Sequence, residues 1–384
     1  MREVVITGIG QVPVGEHWDI SLRSLAARAI LAAQHEVPTL KPQALYVGNL
    51  LGSVLSHQAN LGALLVDNTG LGGIEGTAVE SGGASGGAAL RLGYLAVASG
   101  YVDTVVVVGV EKMTDMIGPG VESALAESGD ADYEAVQGLT LAGQAGLVMQ
   151  RYLHQYAAQR ADFAAFALLA HANAVANPNA LFRKAIKAEA YQRAEEVASP
   201  LNMFDIAPLA DGAAALILTT PEKVPADFAH APVSITGSSL VVDRLALHDR
   251  TDPLAFDAAR LSVERACRMA GMLPGDANFF ELTDSFSIYA ALALEAAGLA
   301  PRGQAARLAS AGEFNLNGRL PINTLGGMKA RGYPIGAAGV YQAVDAVTQL
   351  RGAAGASQVK DARRALIQSL GGPASSAVTH VLEA

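Results

Sequence analysis

Four short segments hold the residues best suited to chemistry. Gly332-Tyr333-Pro334 sets a tyrosine between a flexible and a rigid backbone residue, and Glu281-Leu282-Thr283-Asp284-Ser285-Phe286-Ser287 sets Asp284 between the Thr283 and Ser285 hydroxyls. Tyrosine has an ordinary pKa of about 10. The Tyr333 hydroxyl therefore suits donation to a developing enolate, or acceptance of a proton if a pocket lowers that value. Thr283 and Ser285 can hold a water or donate to a carbonyl oxygen, but their hydroxyls titrate far too high to act as bases. Asp284 could supply a base, yet neighbours on an extended strand face opposite ways, which separates it from Ser285. In Gln368-Ser369-Leu370-Gly371-Gly372-Pro373-Ala374-Ser375-Ser376 a glycine pair offers backbone amides. Val79-Glu80-Ser81-Gly82-Gly83-Ala84-Ser85-Gly86-Gly87 runs into Ala88-Ala89-Leu90-Arg91-Leu92 and reads as a buried helix start, whose dipole and free N–H groups favour negative charge. At its centre Gly83 has no side chain with which to attack anything.

Other signals are weaker. Gly8-Ile9-Gly10 follows a strand but lacks the third glycine of a dinucleotide fingerprint, and no P-loop or zinc spacing occurs. Ser85 lacks recognisable His and Asp partners. Cys267 is the only cysteine, which excludes an internal disulfide, and its helical setting suits a buried structural thiol. His380 lies in a final strand pattern. A net charge of −9 with pI near 5.4 gives no basic footprint for nucleic acid or an anionic membrane. The N-terminus has no secretory pattern and no apolar stretch reaches spanning length, so a cytoplasmic protein is expected.

The elements that must position these segments read as α/β. With 384 residues, 51% of them hydrophobic, the chain can bury a large core in two or three units. The runs Glu3 to Thr7 and Thr104 to Val108 read as strands covered on both faces. Val4-Val5-Ile6-Thr7-Gly8 is echoed by Val233-Ser234-Ile235-Thr236-Gly237, each followed by a helical stretch, Ser21 to Ala33 and Leu261 to Met272. A duplication is implied. From Asp115 to Ser199 the pattern turns helical, and a turn at Asp211-Gly212 then leads into a buried run. Thr219 to Pro232 reads as a linker. The expected organisation is a first half over 1–114 and 200–222, an inserted helical domain over 115–199, and a second half over 223–384.

Three marks carry a family resemblance: Val108-Gly109-Val110-Glu111-Lys112-Met113-Thr114, Asp211-Gly212-Ala213-Ala214-Ala215, and Gly326-Gly327-Met328-Lys329-Ala330-Arg331-Gly332-Tyr333-Pro334-Ile335-Gly336. Together they resemble the thiolase superfamily, in its archaeal and sterol-carrier branch, over nearly the whole chain. The resemblance implies a five-layered fold of duplicated α-β-α-β-α halves with an inserted loop domain. It also implies that Gly83 stands where the nucleophilic cysteine would be, Thr283 at a histidine, Ser285 at a second cysteine and Tyr333 at the Gly-His-Pro histidine. Gly371 and Gly372 then keep the oxyanion backbone.

In the insertion, His171, Asn173, Asn177, Pro178, Phe182 and Arg183 resemble the coenzyme A-binding loop, which makes Arg183, Lys184 and Lys187 the candidate phosphate contacts. A coenzyme A thioester is implied as substrate or ligand, with no covalent cofactor and no metal. The resemblance further implies at least a homodimer and a small partner bearing an OB-fold and a zinc ribbon. Steroid side-chain aldolases resemble this chain in lacking the nucleophile and in using tyrosines. Retro-aldol cleavage is therefore the leading expectation, although Thr283 replaces that group's second tyrosine. A non-catalytic acyl-CoA-binding subunit is the alternative. Acetyl-CoA acyltransfer is disfavoured, because loss of a covalent nucleophile costs orders of magnitude in rate. The vacated volume is either open or filled by neighbours such as Met328, Leu325 or Phe286.

Overall fold

The echo between the two halves marks the seam of one large sheet. The computed structural model describes residues 1–384. Its strands are β1 (Val5–Gln11), β2 (Ala44–Gly48), β3 (Glu75–Val79), β4 (Val105–Glu111), β5 (Glu196–Ala198), β6 (Leu201–Asn202), β7 (Gly212–Thr219), β8 (Val233–Val242), β9 (Phe279–Glu281), β10 (Arg364–Gly371) and β11 (Ser376–Glu383). Nine form a single sheet in the order β3-β2-β4-β7-β1-β8-β11-β10-β9, and β5 pairs with β6 in a small hairpin. β1 meets β8 antiparallel, with Val5 opposite Ser234 and Ile6 opposite Val233.

Helix-on-sheet packing repeats across this seam. The Leu22–Glu36 helix lies on β1, β4 and β7, and the Asp257–Ala270 helix lies on β8 and β11. A Cβ added at Gly8 would strike the Ala33 carbonyl oxygen, and one added at Gly237 would strike the Ala266 carbonyl oxygen. Each half thus needs a glycine at the same crossing. The first helix starts as expected at an N-cap, with Ser21 Oγ accepting from the Ser24 N–H at 3.4 Å. The second begins four residues before the expected Leu261, at Asp257.

Between the two wings lie the Ser85–Ser99 and Ala338–Leu350 helices, packed on each other and touching strands of both wings. Helix, sheet, helix, sheet and helix make five layers. β4 is buried along its whole length. Each of its five valines gains about 1.5–3 kcal/mol over exposure, which explains an unbroken apolar run in place of alternation.

The two ends of the sheet differ. Four of the five residues of β3 are exposed, whereas β9 is buried and Phe280 N–H donates to the Pro321 carbonyl at 2.9 Å. Between β4 and β7 the chain forms the Gly118–Ala126, Leu141–Tyr156, Ala164–Ala174 and Ala188–Arg193 helices and the β5–β6 hairpin. The Leu141–Tyr156 helix packs against the Ser287–Ala296 helix, where Tyr152 Oη donates to Glu295 Oε1 at 2.6 Å. No helix is long and apolar enough to cross a membrane.

Candidate active site

The start of the Ser85–Ser99 helix is shaped by its own serine. Ser81 N–H donates to Ser85 Oγ at 2.9 Å and Ser85 Oγ donates to the Gly82 carbonyl at 2.6 Å. Ser85 is a clip, and the turn holds Gly83 against two other segments. A Cβ at Gly83 would stand 2.7 Å from Tyr333 Oη, 2.7 Å from the Leu370 carbonyl oxygen and 3.7 Å from Ile335 Cγ1. The tyrosine hydroxyl occupies the room that any side chain at 83 would need. Tyr333 and Ile335 take that space, not Met328 or Leu325, while Phe286 lines what remains.

What remains is a cavity of about 50 Å³, bordered by Gly83, Ser285, Phe286, Tyr289, Tyr333 and Gly372, with Glu122, Leu125 and Ile335 among its other walls. The segment after β6 holds two of these residues in place. Ala207 N–H donates to the Ser285 carbonyl at 2.8 Å, and Tyr333 N–H donates to the Pro208 carbonyl at 2.9 Å. Burial pushes the Tyr333 hydroxyl far above its usual range, against an opposing hydrogen bond from Ser285, with the Asp284 and Glu111 charges adding to the rise. Tyr333 therefore stays protonated, which removes the expectation that the pocket turns it into a base.

The remaining expected residues divide. Gly372, at φ +52°, lines the cavity, whereas Gly371 backs onto Ser81 and Ser376. Thr283 is withdrawn: its hydroxyl donates to the Gln368 carbonyl at 3.1 Å and accepts from Leu370 N–H at 3.0 Å, tying the segment to β10. Asp284 is withdrawn too. Its carboxylate accepts from Met328 N–H at 2.7 Å at the start of the Gly327–Arg331 helix. Burial raises its pKa, against the nearby Lys329 charge. Ser285 alone of the three faces the cavity. Cys267 is buried and its thiol is pushed up to about 11 by burial, and His380 is buried with Nε2 3.1 Å from the Gly87 carbonyl.

Two cavity residues carried no signal in the sequence. Tyr289, two residues into the Ser287–Ala296 helix, reads as one apolar position of a buried helix. Glu122 reads as one charge on the Gly118–Ala126 helix. Neither has a local motif to announce it.

Beneath the cavity lies a saturated frame. Glu111 is fully buried, and its carboxylate accepts from Leu50 N–H (3.0 Å), Leu51 N–H (3.0 Å), Gly336 N–H (3.1 Å) and Asn49 Nδ2 (2.8 Å). Burial pushes it up to about 7 despite those donors. Asp211 accepts from Met113 N–H (2.7 Å), Thr114 N–H (3.0 Å), Thr114 Oγ1 (2.5 Å), His17 N–H (3.1 Å) and buried Lys112 Nζ (3.0 Å). Burial alone would raise Asp211, but the Thr114 hydroxyl and the amides hold it below the usual carboxylate range.

Sharing Ile206 and Ala207 with the cavity is a groove of about 1040 Å³, walled by Val175, Leu181, Ile186 and Phe204 with Arg183 and Lys184 among its lining. Its floor includes His171, stacked on Phe182 at 5.9 Å and held neutral by burial. Lys187 caps the next helix, outside the groove lining.

Comparison with known proteins places this geometry. The family described as "Thiolase, N-terminal domain" matches residues 4–222, and "Thiolase C-terminal domain-like" matches residues 239–384. A protein named "Acetyl-CoA acetyltransferase" from Methanothermobacter thermautotrophicus is 38% identical over 99% of both chains. "Benzoylsuccinyl-CoA thiolase subunit BbsB" of Thauera aromatica is 31% identical, covering 94% of this chain and 93% of its own. Among solved structures, one described as "Ltp2-ChsH2(DUF35) aldolase" superposes with a TM-score of 0.86 over 100% of this chain and 98% of its own, at 24% identity.

Proposed function

From the premise that this chain belongs to the thiolase family, we propose that it binds a coenzyme A thioester and cleaves a carbon–carbon bond in it by retro-aldol chemistry. The supporting observation is the exchange at its centre: the Tyr333 hydroxyl stands where a side chain at position 83 would project. An acyl-enzyme needs a nucleophile, and glycine provides none. A retro-aldol reaction needs no such intermediate. A base removes the β-hydroxyl proton, the Cα–Cβ bond breaks, a carbonyl fragment leaves and the electron pair becomes a thioester enolate. Protonation at Cα then gives the shortened acyl-CoA. Protonated Tyr333, with the Gly83 and Gly372 backbone around it, supplies donors to the enolate oxygen. The apolar groove suits a pantetheine chain, with Arg183 and Lys184 toward the phosphates.

We also propose a homodimer through the open β3 edge, and a small DUF35-type partner of the kind the aldolase assembly's description includes. The name acetyl-CoA acetyltransferase fits the family but not this cavity. A second reading, a non-catalytic acyl-CoA-binding subunit, draws support from the small volume beside Tyr333.

One experiment separates these readings: purified protein, with and without its partner, is incubated with acetyl-CoA, acetoacetyl-CoA and a β-hydroxyacyl-CoA panel. Aldehyde or ketone release supports cleavage, and saturable binding without turnover supports the subunit. Free coenzyme A release with an acetyl adduct on the protein defeats both.

A further inference from the structure

Cleavage of a β-hydroxyacyl thioester requires a group that takes the hydroxyl proton, and Tyr333, Thr283, Asp284 and Ser285 do not meet that need. Tyr333 is held protonated, Ser285 is an alcohol, and Thr283 and Asp284 are turned away into backbone contacts. The cavity wall has two further titratable side chains, Glu122 and Tyr289.

Glu122 projects from the Gly118–Ala126 helix of the insertion, exposed to water on one side and lining the cavity on the other, with no hydrogen bond or ion pair of its own. Although the residue as a whole is exposed, partial desolvation where it meets the cavity wall raises its pKa, with no cation beside it to oppose the rise, and a raised carboxyl is the stronger base. Its open side gives a captured proton a route to solvent.

Tyr289 enters from the C-terminal half. It is 1% exposed and its ring is fixed edge-on between Phe256 at 5.5 Å and Phe286 at 5.0 Å, yet its hydroxyl has no partner. Burial holds that hydroxyl protonated. A buried orphan hydroxyl beside a cavity destabilises the empty protein and is satisfied when a ligand oxygen arrives.

We propose that Glu122 is the general base that removes the β-hydroxyl proton, and that the Tyr289 hydroxyl binds the same β-oxygen. This rests on the cleavage reading above. The O–H bond breaks with its proton passing to Glu122, and the C=O bond of the leaving aldehyde or ketone forms as Cα–Cβ breaks. The electron pair moves onto the thioester oxygen opposite Tyr333, and proton return to Cα completes the balance. Tyr289 donates to the oxygen throughout. The site thereby selects thioesters that carry a β-hydroxyl.

The test measures carbonyl product from a β-hydroxyacyl-CoA panel for the unaltered protein and for Glu122→Gln, Glu122→Asp and Tyr289→Phe, each first shown to melt cooperatively. Glu122→Gln should lower kcat by about 100-fold or more with KM changed less than about threefold, and Glu122→Asp should recover about tenfold of that loss. Tyr289→Phe, which deletes one oxygen from a packed ring, should lower kcat/KM by about tenfold for β-hydroxy substrates. It should leave affinity for the unhydroxylated acyl-CoA unchanged. If Glu122→Gln turns over at the unaltered rate while the parent cleaves, the base assignment fails and the cleavage reading stands. Equal kcat/KM in Tyr289→Phe removes the oxygen contact. No carbonyl product from the parent, with or without partner, overturns the cleavage reading and this inference together.

Discussion

The frame beneath the cavity and the cavity itself obey opposite rules. Around Asp211 and Glu111 both carboxylates collect backbone amides and side-chain donors at 2.5–3.1 Å. Tyr289, on the cavity wall, has a buried hydroxyl with no partner, and a buried polar group left unpaired is costly. The Asp211 and Glu111 carboxylates are tied into the fold, whereas the Tyr289 hydroxyl is free to meet a ligand oxygen. The contrast separates the carboxylates that hold the site's backbone from the side chains that line its cavity.

A substitution in the frame should cost fold, and one in the cavity should cost activity. The largest expected effect is in the frame. Asp211→Asn removes one partner of a pair in which both side chains are buried, so it should destabilise by about 3–5 kcal/mol in denaturant titration at neutral pH. Asp211 is held below its ordinary pKa in the folded protein, so its contribution is present above the unfolded value and is lost as pH falls through the folded one. The penalty of the variant should shrink over that acid range; a pH-independent penalty would detach it from charge.

Next is Tyr333→Phe, which should slow carbon–carbon cleavage by about 10²–10³-fold while coenzyme A affinity by calorimetry stays within about threefold. A melting loss as large as that of Asp211→Asn would move Tyr333 into the frame. Gly83→Cys should cost about 1–3 kcal/mol through the clash with Tyr333 Oη and Leu370, and mass spectrometry should find no acetyl adduct on it. An adduct would show that the tyrosine yields to a nucleophile.

The smallest effect is expected at a third buried carboxyl, outside both regions. Buried Glu281 has one oxygen taken by Thr324, at 2.9 Å from its N–H and 2.6 Å from its hydroxyl, while the other oxygen is unpartnered. Burial, then the Asp345 charge, pushes it up to about 8 from 4.5. A raised carboxyl contributes fully below about 4.5 and loses that contribution as pH rises through about 8. Glu281→Gln should therefore gain in melting temperature relative to the parent between pH 5 and pH 8. Parallel melting curves would remove Glu281 from the pH response.

Much of this was legible in sequence. The echo at Val4 and Val233 pointed to the duplicated halves, because a strand and the glycine its helix crosses are local signals, while the pairing of those two strands was not legible. Gly83 and Tyr333 were legible as changed types at marked positions, but their shared space was not, since 250 residues separate them and only packing joins them. Thr283 looked chemical because the Gln368 to Leu370 backbone that consumes its hydroxyl lies far along the chain. Glu122 and Tyr289 were silent for the converse reason: ordinary helical residues acquire a role only where two distant helices meet one cavity.

The unequal ends of the sheet carry a last consequence. Strand addition needs an unpaired rim, and the nine-stranded sheet offers one, at Glu75–Val79, since its opposite rim is already covered through Phe280 and Pro321. Polymerisation demands two such faces per unit, so if the proposed pairing forms, growth through this sheet would stop after a single step and an edge that would otherwise invite fibres would end in a closed pair.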